Sequence, residues 1–293
     1  MSAPIALATA AVARDVDEDL PPLLRAARDS GIEAVAVDWD DASTDWSTFE
    51  RVVIRSTWDY TQRLEEFLAW TDHVASVSRL VNPASVVAWN CDKRYLAALG
   101  AAGLPVVPSW FVGPGDSASI PAGVPEGEIV VKPTVSAGSR DTARYRWAQR
   151  EQAEAHVRRL VGGGRTAMVQ PYEPTVDRDG ETALLYFGGA LSHAIRKGPL
   201  LRPDAAPTRA LFAEEHITAV EPVPEQLAVG EQVLDALVAL DPFAGSTPDY
   251  VRVDLVERAD GGFAILELEL IEPSIFTATA HGAAERFVDA VLR

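Results

Sequence analysis

Apolar and polar positions alternate along the first ~80 residues as strands and helices would place them. Short apolar runs at Ile5–Ala10, Ala34–Asp38 and Arg51–Arg55 predict three buried strands. The segments Leu20–Ser30 and Leu64–Val77 carry apolar residues near a 3.6-residue period, which predicts helices. Because strands that alternate with helices form parallel sheets, we expect an α/β layer at this end of the chain.

A second unit of mixed strands and helices follows. Residues 113–127 are rich in Gly, Pro, Ser and Asp and predict a loop. Beyond that loop, Ile129–Lys132 and Ala167–Gln170 predict strands, and Glu151–Val161 predicts the helix between them. The pattern therefore indicates an α+β unit in the middle of the chain.

The last third of the chain predicts two β-hairpins. One pairs Glu181–Phe187 with Ala190–Lys197 around Gly188–Gly189. That turn places Glu181 opposite Arg196. An arginine beside a carboxylate can grip a phosphate or a carboxylate, or it can form an ordinary surface ion pair.

The other hairpin has one charged and one apolar face. A turn at Asp260–Gly261 places Asp254 opposite Glu267 and Arg252 opposite Glu269. A slip of one residue would mix the two faces, so the pattern itself predicts this register. Opposed carboxylates repel unless a cation lies between them, and their oxygens suit Mg²⁺ or Mn²⁺. The alternative is a solvated sheet face with an Arg252–Glu269 ion pair.

Lysine is rare, with three among 26 basic residues. Lys132 ends an apolar run and leads into the small-residue segment Thr134–Arg140, where backbone amides could approach an anion closely. Lys93 follows Asp92 at a predicted helix start. Lys132 is therefore a candidate for binding phosphate, and the alternative for each lysine is a solvated surface charge.

Two charged residues follow the third predicted strand. Arg55 and Asp59 lie in the segment RSTWDY. Ligands of open α/β sheets bind outside the carboxyl ends of strands, so both are candidate substrate contacts. A capped helix start with packed aromatic rings is the alternative.

The overall charge of the chain limits the classes of partner that it can bind. The chain has 293 residues, 43 acidic against 26 basic, and a net charge of −17. This balance argues against binding to nucleic acid or to an anionic membrane, both of which need basic patches. One cysteine, Cys91, excludes an intramolecular disulfide and fits a reducing compartment, so we expect a cytoplasmic protein. The chain start has no basic region before its apolar run, which indicates a strand and not a signal peptide.

Several motifs occur in a characteristic order: a lysine before the middle unit, a second lysine on its strand, a small-residue loop, a QPY strand end and a late Asp…Glu-x-Glu set. Their segments read RSTWDY, NPASVVAWNCDKRYL, VVKPTVSAGSRD, VQPYEP, SHAIRKGPLL and LELELIEPS. Together they resemble the ATP-grasp superfamily, and within it the glutathione-synthetase-like branch. They are similar to a subgroup that includes cyclo-ligases acting on O-ureido-D-serine.

The resemblance implies an ATP-grasp fold of α/β class. We expect an N-terminal parallel α/β domain at residues 1–82, a helical linker with a central lid at 83–172, and a C-terminal lobe with the metal site at 173–293. Enzymes of this superfamily often dimerise, so a homodimer is expected.

The resemblance also implies roles for residues. Lys93 and Lys132 would contact the ATP phosphates, with Lys132 and Arg196 as catalytic cations. The remaining implied nucleotide contacts are Ser136, Ala137, Gly138, Ser139, Gln170, Pro171, Tyr172 and Asp177. The implied magnesium ligands are Asp254, Glu267 and Glu269, and the expected substrate contacts are Arg55, Asp59, Glu181, Arg252 and Ser274.

The implied reaction is an ATP- and Mg²⁺-dependent, ADP-forming C–N ligation. An amino-acid-like carboxylate would be activated as an acyl phosphate and attacked by a nitrogen, which in the cyclo-ligase case belongs to the same molecule, converting O-ureido-D-serine to D-cycloserine. Three alternatives stay open at this point: a ligase that joins two molecules, an ATP-binding module without catalysis, and an α/β protein whose acidic sheet face is merely solvated.

Overall fold

The N-terminal sheet has four parallel strands in the order β2-β1-β3-β4. The structure is a computed structural model that describes residues 3–202 and 216–293. The predicted parallel α/β layer is confirmed, because helices connect its strands as the periodicity indicated. Its elements are β1 (Ile5–Thr9), α1 (Leu20–Asp29), β2 (Ala34–Asp38), β3 (Arg51–Ser56), α2 (Leu64–Val77) and β4 (Arg79–Val81).

The middle sheet is antiparallel and has the order β5-β8-β6-β7. Helix α5 packs on it through Ala153, Val157 and Leu160, which belong to one buried cluster with Ile129 and Val131. The bounds are β5 (Trp110–Val112), β6 (Ile129–Pro133), β7 (Ala143–Tyr145), α5 (Arg150–Gly162) and β8 (Ala167–Pro171).

The C-terminal sheet is antiparallel in the order β11-β10-β9-β12-β13. No helix in the described ranges is long and apolar enough to cross a membrane. The bounds are α6 (Val176–Asp179), β9 (Glu181–Phe187), β10 (Ala190–Lys197), β11 (Ile217–Val220), α7 (Pro224–Ala239), β12 (Tyr250–Glu257), β13 (Phe263–Glu269) and α8 (Ala283–Phe287).

Two short helices, α3 (Ala84–Asn90) and α4 (Tyr95–Ala101), connect the first two sheets and are bonded to the third. The Asn90 side chain donates to the carbonyl of Leu268 and accepts from the amide of Leu270. The Tyr95 hydroxyl also donates to the Leu268 carbonyl. These bonds fix the turn between the two helices, and with it Lys93, beside β13.

The structure confirms the predicted register of the second hairpin where the charged residues lie. Asp254 pairs with Glu267, and Arg252 pairs with Glu269. Nearer the turn, a bulge makes Leu255 pair with Ile265. The extra residue, Leu266, therefore turns to the charged face, although the pattern predicted it among the buried apolar side chains.

The predicted register of the first hairpin is wrong beyond its turn. A bulge between Leu191 and His193 makes Glu181 pair with Lys197 and moves Arg196 opposite Thr182. One extra residue in a strand exchanges the faces of all residues after it. Arg196 is therefore exposed and Lys197 is buried.

Candidate active site

A cavity of about 880 Å³ lies where parts of the three sheets meet. This volume is in the upper range of pockets that hold small molecules and cofactors. Its wall includes Trp58 beside the N-terminal sheet, Lys132 from the middle sheet, and Asp254 from the C-terminal sheet. All three lysines of the chain line this cavity, together with most of the residues that the motifs singled out.

Glu267 holds two of the lysines at one corner of the cavity. The Nζ atom of Lys93 lies 3.0 Å from its Oε1, and that of Lys132 lies 3.9 Å from its Oε2. Burial lowers the pKa of Lys132. Burial would raise the pKa of Glu267, but Lys93 and Lys132 outweigh it and keep that pKa below its usual value. The corner therefore holds two lysine side chains around one ionised carboxylate, which leaves a net positive charge for an anion when both lysines are protonated.

The small-residue loop covers this corner. Lys93 Nζ donates to the carbonyl of Ser136 at 2.8 Å, and all of residues 136–139 line the cavity. Gly138 and Ser139 both have φ of 59°. A left-handed backbone with little side-chain bulk lets a phosphate approach the main chain closely.

A second charged group surrounds Asp254. Its Oδ1 accepts from Nε of Arg252 at 2.8 Å, and its Oδ2 accepts from Nζ of Lys197 at 2.5 Å. Arg252 also donates to Glu269 at 2.5 Å. Burial would raise the pKa of Asp254, but Arg252 and Lys197 hold it well below its usual range. Burial raises the pKa of Glu269 to about 7, with Asp254 adding to the effect and Arg252 opposing it.

The three predicted metal ligands face one wall of the cavity, with cations between them. Within the described residues, no group of three or more His, Cys, Asp and Glu is arranged to hold a metal ion. The chemistry of Asp254, Glu267 and Glu269 still fits Mg²⁺, which prefers carboxylate oxygens. The side chains of Glu267 and Glu269 are 23% and 30% exposed to the cavity side, so a cation can reach them. It would compete there with Lys93 and Arg252.

The strand end Gln170–Tyr172 lines the cavity. Gln170 donates to Ser109 Oγ at 2.9 Å, and the guanidinium of Arg144 lies 3.5 Å from the ring centroid of Tyr172. Asp177 accepts two bonds from Arg144, at 2.8 and 2.9 Å, and one from the Tyr172 hydroxyl at 2.7 Å. Asp177 is not part of the cavity wall that the described residues form, and its nucleotide contact stays a prediction.

Three further predicted residues stand away from the cavity wall that the described residues form. Arg55 is fully buried and donates to the Pro273 carbonyl at 2.9 Å. Asp59 accepts from Trp39 Nε1 at 2.9 Å, while its neighbours Trp58 and Tyr60 line the cavity. Arg196 points outward because of the β-bulge. Of the other expected substrate contacts, Glu181, Arg252 and Ser274 do line the cavity.

Among the cavity residues that sequence reasoning missed, three bear on the chemistry of the site. Lys197 was assigned to the wrong face, although the rarity of lysine was a signal that could have found it. Glu272 lines the cavity, and burial, reinforced by Glu269, raises its pKa to about 8. Phe276 also lines it, with a left-handed backbone that no sequence pattern indicated.

Comparison with known proteins shows what this chain is similar to. Residues 5–82 match the family model described as D-cycloserine synthetase DcsG, N-terminal domain. The cycloserine biosynthesis protein DcsG of Streptomyces lavendulae is 42% identical over 300 residues, covering 98% of this chain and 97% of that protein. The crystal structure of D-cycloserine synthetase DcsG superposes with a TM-score of 0.89 at 43% identity, over 98% of this chain and 97% of that one.

More distant structures share the fold. An ATP-grasp RimK domain protein from Sphaerobacter thermophilus has a TM-score of 0.66 at 19% identity, over 99% of this chain and 100% of that one. The D-alanine–D-alanine ligase of Bacillus anthracis, solved with ATP, has a TM-score of 0.64 at 12% identity, over 99% of this chain and 96% of that one. The distant structures show that the chain has the ATP-grasp fold, and with 42% identity over nearly its whole length this chain belongs to the DcsG family.

Proposed function

We propose that this protein uses ATP to close O-ureido-D-serine into D-cycloserine, releasing ADP and phosphate. The observation that carries the proposal is the convergence of Lys93, Lys132 and the 136–139 loop on one corner of a cavity, in a chain 42% identical to a cycloserine biosynthesis protein. Two buried cations under a loop of small residues suit the phosphates of a nucleotide.

The nucleotide lies between the middle and C-terminal sheets in this proposal. Gln170–Tyr172 border the base, and the two lysines neutralise the phosphates. The substrate carboxylate attacks the γ-phosphorus, the bond to ADP breaks, and an acyl phosphate forms. Positioning and charge neutralisation supply most of the catalysis in such a step. Lys132 and Lys197 are the cations nearest the transferred group, which assigns to Lys197 the role that the sequence suggested for Arg196.

Asp254, Glu267 and Glu269 would hold Mg²⁺, for which Mn²⁺ could substitute, and the bound ion would supply further positive charge beside the phosphates. Arg252 stays next to these carboxylates and orients them.

The second half of the reaction forms the ring. The nitrogen bonded to the side-chain oxygen attacks the acyl carbon, and phosphate leaves. Its carbamoyl group then departs with one water as carbon dioxide and ammonia, which balances the atoms. Because the nucleophile belongs to the same molecule, one small substrate pocket beside the nucleotide is sufficient.

The test is release of ADP and phosphate with Mg-ATP and O-ureido-D-serine alone, with mass spectrometry of the product. Matched reactions use the L-enantiomer, single amino acids, and pairs of amino acids. We expect turnover with the single D-compound and formation of D-cycloserine. Turnover only with pairs would show a ligase that joins two molecules, and no turnover with tight ATP binding would show that the substrate is another compound. The variant Lys132→Met is the inactive control.

A further inference from the structure

One wall of the cavity is a loop that follows β13. Residues 273–279, called here the 273–279 loop, contribute Ser274, Phe276 and Thr279 to the cavity wall. The nucleotide corner lies elsewhere on the wall, at Lys93 and Lys132. From the N-terminal part of the chain, Trp58, Tyr60 and residues 15–19 line the same cavity, and Asp19 of that segment contacts the 273–279 loop directly.

A carboxylate of the N-terminal part of the chain holds this loop. Asp19 accepts from the backbone amides of Ile275 at 2.7 Å, Phe276 at 3.2 Å and Thr277 at 2.7 Å. It also accepts from the Thr277 hydroxyl at 2.8 Å. Asp19 precedes helix α1, where aspartate usually caps the helix, yet its side chain makes no capping bond. Its carboxylate instead accepts hydrogen bonds from the 273–279 loop.

Arg55 also contacts the 273–279 loop. It is fully buried, donates to the Pro273 carbonyl at 2.9 Å, and lies 3.7 Å from the Asp19 carboxylate. A buried guanidinium needs a negative partner, and Asp19 is the carboxylate that the structure places beside it. The sequence pointed to Arg55 as a substrate contact, whereas its described contacts are with the loop, with Asp19 and with the ring of Phe287.

Phe276, in the segment that Asp19 and Arg55 hold, has an unusual backbone conformation. Its φ is 54°, a left-handed value that a bulky residue adopts only where its surroundings enforce it. Its ring centroid lies 5.6 Å from the guanidinium carbon of Arg252, the residue that bridges Asp254 and Glu269. Strain of this kind, held by buried bonds and located at a cavity wall, is typical of binding sites.

We propose that Phe276 contacts the amino-acid-like substrate and that Asp19 is its positioning residue. Asp19 holds the left-handed backbone so that the ring covers the substrate part of the cavity and packs against Arg252. The inference rests on the proposed function for the identity of the substrate. It adds a determinant of substrate binding that is separate from the nucleotide corner.

The experiment measures KM for O-ureido-D-serine and for ATP, together with hydrogen exchange at the amides of residues 275–277. In Asp19→Asn we expect the substrate KM to rise by about tenfold or more and the loop amides to exchange at least about tenfold faster, because bonds to a charged acceptor are lost. The KM for ATP should stay within about twofold, because the lysines are untouched. Phe276→Ala should raise the substrate KM in the same way.

Asp249→Asn is the matched control. Asp249 also joins distant parts of the chain, through Arg79 at 3.0 Å, but does not belong to the described cavity wall. Neither its substrate KM nor the loop exchange should change. If Asp19→Asn fails to fold, Thr277→Val removes one of the four bonds and should shift both readouts in the same direction, by a smaller amount.

Unchanged loop exchange in the Asp19 and Thr277 variants would overturn the positioning role. Equal increases in both KM values would also overturn it, because a general structural defect would do the same. The exchange measurement needs no substrate, so it decides the role of Asp19 even if wild-type protein turns over no compound tested. Absence of wild-type turnover would contradict the proposed function, but not the role of Asp19 in holding the 273–279 loop.

Discussion

Lys197 on β10 donates to Oδ2 of Asp254 on β12 at 2.5 Å, across the intervening strand β9 and at the cavity wall. Both side chains are almost fully buried, at 9% and 3% exposure. Burying an ion pair costs desolvation energy that is recovered only with good geometry. Asp254 has a second cation, Arg252, at 2.8 Å. The arrangement therefore places Lys197, and not the neighbouring Arg196, among the charges of the site.

This contrast leads to the first prediction. Replacing Lys197 with Met should lower the rate of ADP release by about 100-fold or more, since removing one cation from a transferring phosphoryl group costs several kcal/mol. Arg196→Ala is the neighbouring control and should stay within about twofold, because Arg196 is exposed. Steady-state assays and melting temperatures of both variants check this. Equal losses in the two variants would contradict the register that the β-bulge sets.

Lys132 gives a second prediction. Its buried ammonium lies at the nucleotide corner, so Lys132→Met should weaken ATP binding by about tenfold or more. The fold should survive, because Met has a shape similar to that of Lys. Burial disfavours the charged form of Lys132, as its lowered pKa shows, so an uncharged side chain is tolerated at this position. Isothermal titration calorimetry with ATP provides the affinity, and circular dichroism provides the fold. Wild-type affinity in the variant would remove Lys132 from the phosphate site.

Asp177 gives a third prediction, because the motifs suggest a nucleotide contact while its described bonds are to Arg144 and Tyr172. These bonds favour a structural role beside the proposed base site. We expect Asp177→Asn to change ATP affinity by less than about threefold and to lower the melting temperature by a few degrees, as loss of one charged hydrogen bond does. A loss of ATP affinity above about tenfold with an unchanged melting temperature would instead support the predicted direct contact.

His156 gives a prediction about pH. It is buried on α5, where its Nδ1 lies 2.9 Å from the Tyr145 hydroxyl, and burial lowers its pKa to about 4. The unfolded chain has a histidine pKa near 6.5 and binds the proton more readily. Above pH 6.5 the histidine is neutral in both the folded and the unfolded chain, so it costs no stability. As the pH falls from 6.5 towards 4, only the unfolded chain takes up the proton, and the free energy of unfolding decreases by up to about 3 kcal/mol.

His156→Gln should abolish this part of the pH dependence. Relative to wild type, the variant should gain stability progressively between pH 7 and pH 4 in urea unfolding. His73→Gln, at an exposed position of α2, is the control and should leave the pH profile parallel to that of wild type. A parallel profile for His156→Gln would show that His156 does not carry the effect.

Local patterns accounted for much of the fold. The parallel N-terminal layer follows from apolar runs separated by amphipathic helices, and the pairing of Asp254 with Glu267 follows from the strict alternation of charged and apolar residues. Both patterns repeat over many residues, so a wrong assignment would bury charge at several positions at once. The predicted domain boundaries at residues 82 and 172, and the homodimer, stay predictions.

The β-bulge at Ser192 is a feature that local sequence patterns did not predict. The Ser192 side chain makes contacts with His193 at 2.8 Å and with Arg286, 94 residues away, at 2.8 Å. No pattern within the hairpin indicates them. One extra residue there reversed the faces of Arg196 and Lys197. Long-range bonds likewise join Arg55, which the sequence suggested as a substrate contact, and Asp19, which no pattern singled out, to the 273–279 loop.

The sequence by itself determined which chemistry is present: three rare lysines, a loop of small residues and an alternating set of carboxylates, in the order of an ATP-grasp ligase. The tertiary structure alone decided which of these groups meet. A side chain's face depends on the register of its strand, and its charge state depends on neighbours far along the chain, and both are settled only when the sheets pack together.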